Sequence, residues 1–424
     1  MVDLEEQPSV RRAAVRKPPR RKPVKRATTW VHRWLSLVLG LLLLVECTTG
    51  ALLVYAPELT RWLRGDLHVA QQDAPEQPLQ SSLTAAQTAY PDLAPTSVYD
   101  DHGTHTVYDF DAGRVVTVDG YTGAVLGSYD NNEPAPGAIG WTLAFADGIH
   151  LCALSCEEYP GHQAWLADEI PHSQWAGFDG AGVTWGGLVI AVLALMLVFL
   201  ALSGVWLWWP TFKHFVRGVR VRFGKGRYAR DYDLHQVVGM VALPLLLMWG
   251  VTGASYELGF VDRGWYAVTP GTEHEADLTV DDKATGEITA DQAVASAQEL
   301  LGHDAPVTEL DVPAADDPAG YYAVWFSDGY DPYAKTQYPG DVAIEVDRHD
   351  AGNAVITYGG PQVGTAQVVA ESFNYPVHSG FAFNGWIRIL WVVFGLVPLL
   401  LAWTGVSTWL FKRSVRKRRR RAAA

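Results

Sequence analysis

The sequence predicts a membrane α-helical protein in which four transmembrane helices carry two extracytoplasmic α+β modules, laid out as helix, module, helix and then the same again. Three features of the chain lead there. Four stretches are apolar for long enough to cross a hydrocarbon core of about 30 Å, which takes roughly 20 residues of helix. The charges are segregated: lysine and arginine number nine in residues 11–26, seven in 213–230 and eight in 412–421, out of 33 in all, whereas aspartate and glutamate number 18 in 56–183 and 22 in 257–385, out of 46. The segments also echo each other, the second apolar stretch ending in LSGVWLWWP and the fourth in LAWTGVSTWLF.

In chain order, residues 1–29 form a basic tail, 30–55 the first span, 56–182 the first module, 183–209 the second span and 210–233 a basic loop. A third span at 234–256, a second module at 257–376, a fourth span at 377–411 and a basic tail at 412–424 complete the chain. Excess lysine and arginine mark the cytoplasmic side of a membrane. Both termini and the loop 210–233 are therefore expected inside, the two acidic modules outside, and the protein in the cytoplasmic (inner) membrane as a multi-pass chain. No cleavable signal peptide is expected, since the first apolar run follows a basic tail of 29 residues and is too long for a signal core. The basic segments are expected to fix topology and touch anionic membrane lipid, with no nucleic acid as partner. Of three cysteines, Cys152 and Cys156 fall outside, where an oxidising compartment permits a bond, and Cys47 lies in the first span and packs.

Each acidic module opens on a Ser/Thr-rich cap and an Ala-rich helical pattern, SSLTAAQTAY in the first and ITADQAVASAQELL in the second. Alternating strand-like runs follow, such as GRVVTVDGYTGAVLGSYD and DVAIEVDRHDAGNAVITYG, broken at Asp-Gly, Thr-Gly and Ala-Gly turns.

The chemistry is expected from histidine. HRWLSLVLGLLLLVECTTG in the first span and LHQVVGMVALPLLLMWGVTG in the third each place sixteen residues between a histidine (His32, His235) and a Thr-Gly (Thr49, Thr252). Both histidines then lie at the inner face. His378, ahead of the fourth helix, lies at the outer face, and His150, His162 and His172, ahead of the second, lie outside too. Ionisable groups in spans are costly and by default functional, and two imidazoles on facing helices can saturate a haem iron. Arg33 at the inner face and Arg388 at the outer are candidate partners for haem propionates or plain interfacial residues. Glu46, deep in the first span, is a candidate for the same network, for a proton path or for pairing with Arg388. The histidines of the polar outside loops, His105 among them, show no spacing that suggests a metal site.

WVHRWLSLVLG, TTGALLVY, VDGYTGAVLG, GIHLCAL, LSGVWLWWP, RYARDYDLHQVVGMVALPLLLMWGVTGA and VHSGFAFNGWIRILW, taken in order, resemble the PepSY-associated transmembrane family, sometimes described as iron-regulated membrane proteins. The likeness spans residues 30 to 411. It implies that the modules are PepSY-like domains and that two b-type haems are held by histidine pairs, as in members that are siderophore-iron reductases. Carried over, His32 and His235 would hold the cytoplasmic-side haem, His150 and His378 the outer one. One departure stands out: His378 precedes Thr404 by 26 residues, whereas His150 precedes Ser203 by 53. His172, 31 residues before Ser203, fits the spacing better, and His150 fits the family's LH context better.

The expected function is a transmembrane electron conduit reducing an extracytoplasmic acceptor, a ferric siderophore or other ferric chelate, with a quinol or a cytoplasmic reductase as donor. A rival is a sensory or peptidase-regulating protein displaying PepSY-like domains on inert helices, in which the histidines are dispensable. A transporter is suggested only by the duplication and lacks paired broken helices, although Pro244 could kink the third span.

Overall fold

The computed structural model describes residues 23–178, 180–209, 218–268, 278–281, 283–329, 331, 334, 340–359, 374–383 and 385–423. The first expected span is two helices, α1 (Pro23–Val38) and α2 (Gly40–Leu53), whose axes meet at 65°. The break falls at Leu39–Gly40, where a residue without Cβ lowers the cost of leaving the helix. A short α3 (Ala56–Leu63) leads on to α4 (Leu79–Ala89), which precedes four strands.

The strands are β1 (Ser97–Asp101), β2 (Thr104–Asp109), β3 (Arg114–Asp119) and β4 (Val125–Asp130). After them comes a helix not expected from the sequence, α5 (Gly137–Cys152), apolar but, at 16 residues, about 24 Å long and too short to span. It packs against α2 and against the helix Trp185–Trp208. A turn closed by the Cys152–Cys156 disulfide and the short α6 (Ala164–Ala167) bring the chain to α7 (Trp185–Trp208), capped by the Thr184 hydroxyl. Helix α8 (Arg227–Glu257) begins seven residues before the expected third span and runs about 46 Å, beyond the hydrocarbon core. Its early start is anchored by Asp231, which accepts a hydrogen bond of 2.5 Å from Ser407 and pairs with Arg227 and Arg230.

Helix α9 (Gly259–Val268) and then α10 (Ala290–Leu301) follow. Thr289 and Gln292 form a capping box at the start of α10, as its Ser/Thr cap suggests, whereas α4 begins at Leu79, so that Ser81 and Ser82 lie inside its first turn. Strands β5 (Val307–Asp311), β6 (Tyr321–Phe326), β7 (Val342–Asp347) and β8 (Ala354–Tyr358) come next. The fourth expected span, 377–411, is helical from α11 (Ile389–Gly395) into α12 (Val397–Arg421). His378 sits apart, in a helical turn at 374–379 that ends at Gly380, where φ is +88° and the Trp391 ring leaves no room for a Cβ. Three helices, Trp185–Trp208, Arg227–Glu257 and Ile389–Arg421, are long and apolar enough to cross a membrane, and the bent pair α1–α2 would make a fourth. Leu43, Leu193, Met196, Leu197, Ala242 and Leu246 form their shared core.

The strands do not make two separate modules. They form one antiparallel sheet in the order β4-β3-β2-β1-β5-β6-β7-β8, fused where Val98 of β1 faces Leu310 of β5. Fusion covers two strand edges that would otherwise invite aggregation. Helices α4 and α10 lie on one face, and their Leu83, Ala86, Ala293 and Ala297 share a single core with Val98, Val107, Leu310, Val324 and Ile344. Residues alternate across a strand, so Tyr99, Glu309 and Asp311 point to the opposite face.

There Glu309 and Asp311 share a half-buried environment. Burial pushes the Glu309 carboxyl well above the usual range and the Asp311 charge pushes it further; burial raises Asp311 as well. An acid whose pKa is higher folded than unfolded holds its proton more tightly in the native state. Its contribution is whole below the ordinary carboxylate range and is lost as pH rises toward the folded value. Glu309→Gln, neutral at every pH, is therefore expected to match wild type in melting temperature at pH 4 and to melt about 2–4 °C higher at pH 8. Scanning fluorimetry of the two proteins across that range is the measurement, and parallel curves would contradict the assignment.

Candidate functional site

Four histidines are each received by a Ser/Thr-Gly pair on a neighbouring helix. His32 of α1 places Nδ1 2.7 Å from Ser203 Oγ on α7, next to Gly204. His235 of α8 places Nδ1 3.1 Å from Thr404 Oγ1 and 3.0 Å from the Leu401 carbonyl on α12, beside Gly405. His150 of α5 places Nδ1 3.4 Å from Thr49 Oγ1 and 3.0 Å from the Glu46 carbonyl on α2, with its ring against Gly50. His378 places Nδ1 2.6 Å from Thr252 Oγ1 on α8, the residue before Gly253. The Thr-Gly recurrence was visible in the sequence, but as a spacing along one helix. What each motif does is receive a histidine from another element, and α8 both gives one (His235) and receives one (His378).

These contacts favour one tautomer. Each receiving hydroxyl has a carbonyl of its own helix in reach for its proton: Leu200 O for Ser203, Leu400 O for Thr404, Val45 O for Thr49 and Met248 O for Thr252. With the proton placed there the hydroxyl accepts from Nδ1–H, and the imidazole keeps a lone pair on Nε2. Carbonyl acceptors at His150 and His235 demand the same. Among the described residues no hydrogen bond reaches Nε2 of any of the four. A neutral imidazole held at Nδ1 with Nε2 available is how proteins prepare a histidine to ligate a metal.

A family model, the PepSY-associated TM region, matches residues 29–412. The chain belongs to the PepSY-associated transmembrane family. No curated protein matches it. The PepSY-associated region takes in all four histidines, all four Ser/Thr-Gly pairs and both halves of the sheet.

Within this PepSY-associated chain the histidines fall into two pairs. The ring centroids of His150 and His378 are 6.2 Å apart, with planes inclined at 53°. Two metal–imidazole bonds of about 2 Å put opposed ring centroids roughly 6 Å apart, so a pair at this spacing would suit one shared metal ion. His32 and His235, from α1 and α8, lie within electrostatic reach of each other. His172 is exposed at φ +62°, and no described contact joins it to His378. The spacing argument favoured it because the disulfide-closed turn and α6, which lie between His150 and α7, lengthen that path.

The charged candidates are placed as follows. Glu46 Oε1 is 3.0 Å from His150 Nδ1, not near Arg388. Arg388, almost wholly buried, is engaged by the Glu58 carboxylate and the Val54 carbonyl and lies 4.2 Å over the Phe381 ring. The protein itself thus supplies the acidic partner expected of a propionate. Arg33 stacks on Trp34. The Nε atoms of Arg33 and Arg388 are both buried without a hydrogen-bond partner, so each guanidinium keeps a donor for a further anionic group. One cavity of about 860 Å³ runs from Gly50, His150, Trp249 and His378 to Arg64 and Tyr129 on the sheet, a size typical of cofactor and small-molecule sites.

Proposed function

We propose that this protein is a transmembrane di-haem b electron-transfer protein that reduces an extracytoplasmic acceptor, a ferric siderophore or other ferric chelate. The reading is carried by one observation: four imidazoles in two pairs, each locked through Nδ1–H with Nε2 unengaged, the outer pair 6.2 Å apart. His32 and His235 would hold one haem and His150 and His378 the other, with Arg33 and Arg388 offering their orphaned Nε donors to propionates. The haems supply one-electron redox chemistry without a substrate position at the iron. The chain's own part is to present paired ligands and to exclude other donors. Trp249 and Trp391 donate to the His378 and Val377 carbonyls at 2.9 Å and so hold the ligand turn in place.

The charge segregation supports an inner-membrane protein with both termini inside and the sheet outside. The large cavity joins the outer histidine pair to the sheet face bearing Tyr99, Tyr108 and Tyr129, where an acceptor could approach. The Arg64 guanidinium lies 3.8 Å over the Tyr129 ring there. Electrons would come from a quinol or a cytoplasmic reductase. The test is the absorption spectrum and pyridine haemochrome of the purified protein. About two b haems per chain, with Soret and α bands of the low-spin form, are expected. A protein transparent in the Soret region would leave the sensory reading in its place.

A further inference from the structure

Away from the histidine pairs, three side chains from three separate elements meet on the helix-covered side of the sheet: Glu76, Asp100 and His105, with their ligand atoms all within 4.8 Å of one another. We infer that they form a binding site for a divalent transition-metal ion of the zinc class, independent of any haem.

The backbone brings them together. His105 on β2 is directly opposite Asp100 on β1, so the two side chains leave the sheet on the same face as neighbours. Glu76 arrives on the extended segment before α4. There Gln77 N–H donates to the Gly120 carbonyl at 2.6 Å, and Gly120 N–H donates to the Gly103 carbonyl at 2.9 Å. Those two bonds tie the segment to both hairpins.

The donor atoms are oriented for an ion. Ser82 of α4 holds His105 Nδ1 at 2.8 Å, which turns Nε2 toward Glu76 Oε2 at 3.3 Å. Asp100 spends Oδ1 on the Gly103 N–H at 2.9 Å and keeps Oδ2. A Cβ at position 120 would come within 2.9 Å of His105 Nε2, and glycine leaves that space open. The His105 ring is almost wholly buried, whereas Glu76 and Asp100 are half-exposed, which gives an ion a way in. Among the described residues no lysine or arginine pairs with Glu76 or Asp100.

The chemistry of the set follows from its atoms. One imidazole nitrogen and two carboxylates suit zinc and its neighbours, whereas magnesium and calcium prefer oxygen alone. Three protein ligands leave a place for water. The hydroxyl of Ser82 plays the part that outer partners play in metal sites, fixing the ring through the nitrogen that does not ligate. Ligating nitrogen and oxygen atoms must be free of protons, so binding weakens as pH falls. Occupancy would pin the chain entering α4 to the β1–β2 hairpin.

The full-length protein in detergent, stripped with EDTA, is titrated with zinc chloride by calorimetry at pH 7.5. One site tighter than about 10 µM is expected. Glu76→Gln and Asp100→Asn should each weaken it by about tenfold or more, and zinc should raise the melting temperature of wild type but of neither variant. The Soret spectrum should be the same in all three, which separates this site from the histidine pairs. Should a variant fail to fold, zinc-edge X-ray absorption of the wild type reads the shell directly. Imidazole together with oxygen ligands is expected there, and an all-oxygen shell, no site below about 100 µM, or unchanged binding in both folded variants would overturn the inference.

Discussion

His378→Ala is expected to lower the haem content from about two per chain to about one and to abolish most acceptor reduction, while the remaining haem keeps its low-spin spectrum. A b haem has no covalent bond to the chain, so its retention depends on ligands and packing. His378 is one half of the only described pair whose separation, 6.2 Å, is fixed on both sides, by Thr252 at one ring and by Glu46 and Thr49 at the other. His150→Ala should do the same, and His378→Ala with His235→Ala should leave no haem. His172→Ala is the control: its ring is exposed and outside the pair, so haem content and acceptor reduction should match wild type. Pyridine haemochrome per mole of protein measures the first effect, and stopped-flow oxidation of the dithionite-reduced protein by a ferric chelate the second. Loss of haem in the His172 variant, with retention in the His150 variant, would reverse the ligand assignment.

How much of this was legible in the sequence depends on the range of the interaction involved. The helices at 185–208 and, from 234 onward, 227–257 were legible because about twenty largely apolar residues in a row have few other destinations. Helix α10 was legible because its capping box is local. The 65° break at Leu39 was not, since a glycine in an apolar run is compatible with a straight helix as well as a bent one. Helix α5 was hidden for a different reason. Its sequence, GAIGWTLAFADGIHLC, has no amphipathic period to announce it, because the side that packs on α2 and α7 and the side that exposes Ile139, Trp141 and Leu151 are both apolar. Fusion of the two modules into one sheet rests on Val98 meeting Leu310, two residues more than two hundred positions apart, and nothing near either strand encodes the partner. His105 was dismissed as a loop histidine because its companions, Glu76, Ser82 and Asp100, come from elements whose convergence only the fold supplies.

The histidines show the same division. That His32 and His235 share a sequence context was readable from a repeated spacing. That each is held by the motif of a different helix was not, because a hydrogen bond between Ser203 and His32 crosses 171 positions. Duplication of sequence therefore pointed to the histidines and to the Thr-Gly pairs without showing which pair receives which histidine. The Ser/Thr-Gly dipeptide has two jobs, and they are separable. The hydroxyl accepts the Nδ1 proton; the glycine lets the ring come close.

The second job can be tested without touching a ligand, because the four glycines differ in how closely they are approached. A Cβ at Gly50 would stand 2.5 Å from His150 Cε1 and 3.0 Å from Nε2, closer than packed atoms tolerate. At Gly405 the nearest His235 atom would be 3.5 Å away, and at Gly204 the nearest His32 atom 3.9 Å, both ordinary contacts. The His150 ring has no easy retreat, since Nδ1 is tied to the Glu46 carbonyl and its helix packs against α2. Gly50→Ala is therefore expected to displace the ring and cost the outer haem, about one of two, although no ligand has been removed. Gly204→Ala and Gly405→Ala should keep both haems and gain up to about 1 kcal/mol of stability from the better helix former. Haem content per chain and melting temperature, measured on the three variants, separate steric seating from general damage. A variant that unfolds loses both haems and melts low, whereas Gly50→Ala should lose one and melt near wild type. Equal haem content in all three would mean that His150 reaches its iron along a path on which Gly50 has no bearing, and the close approach at α2 would then serve only the packing of α5.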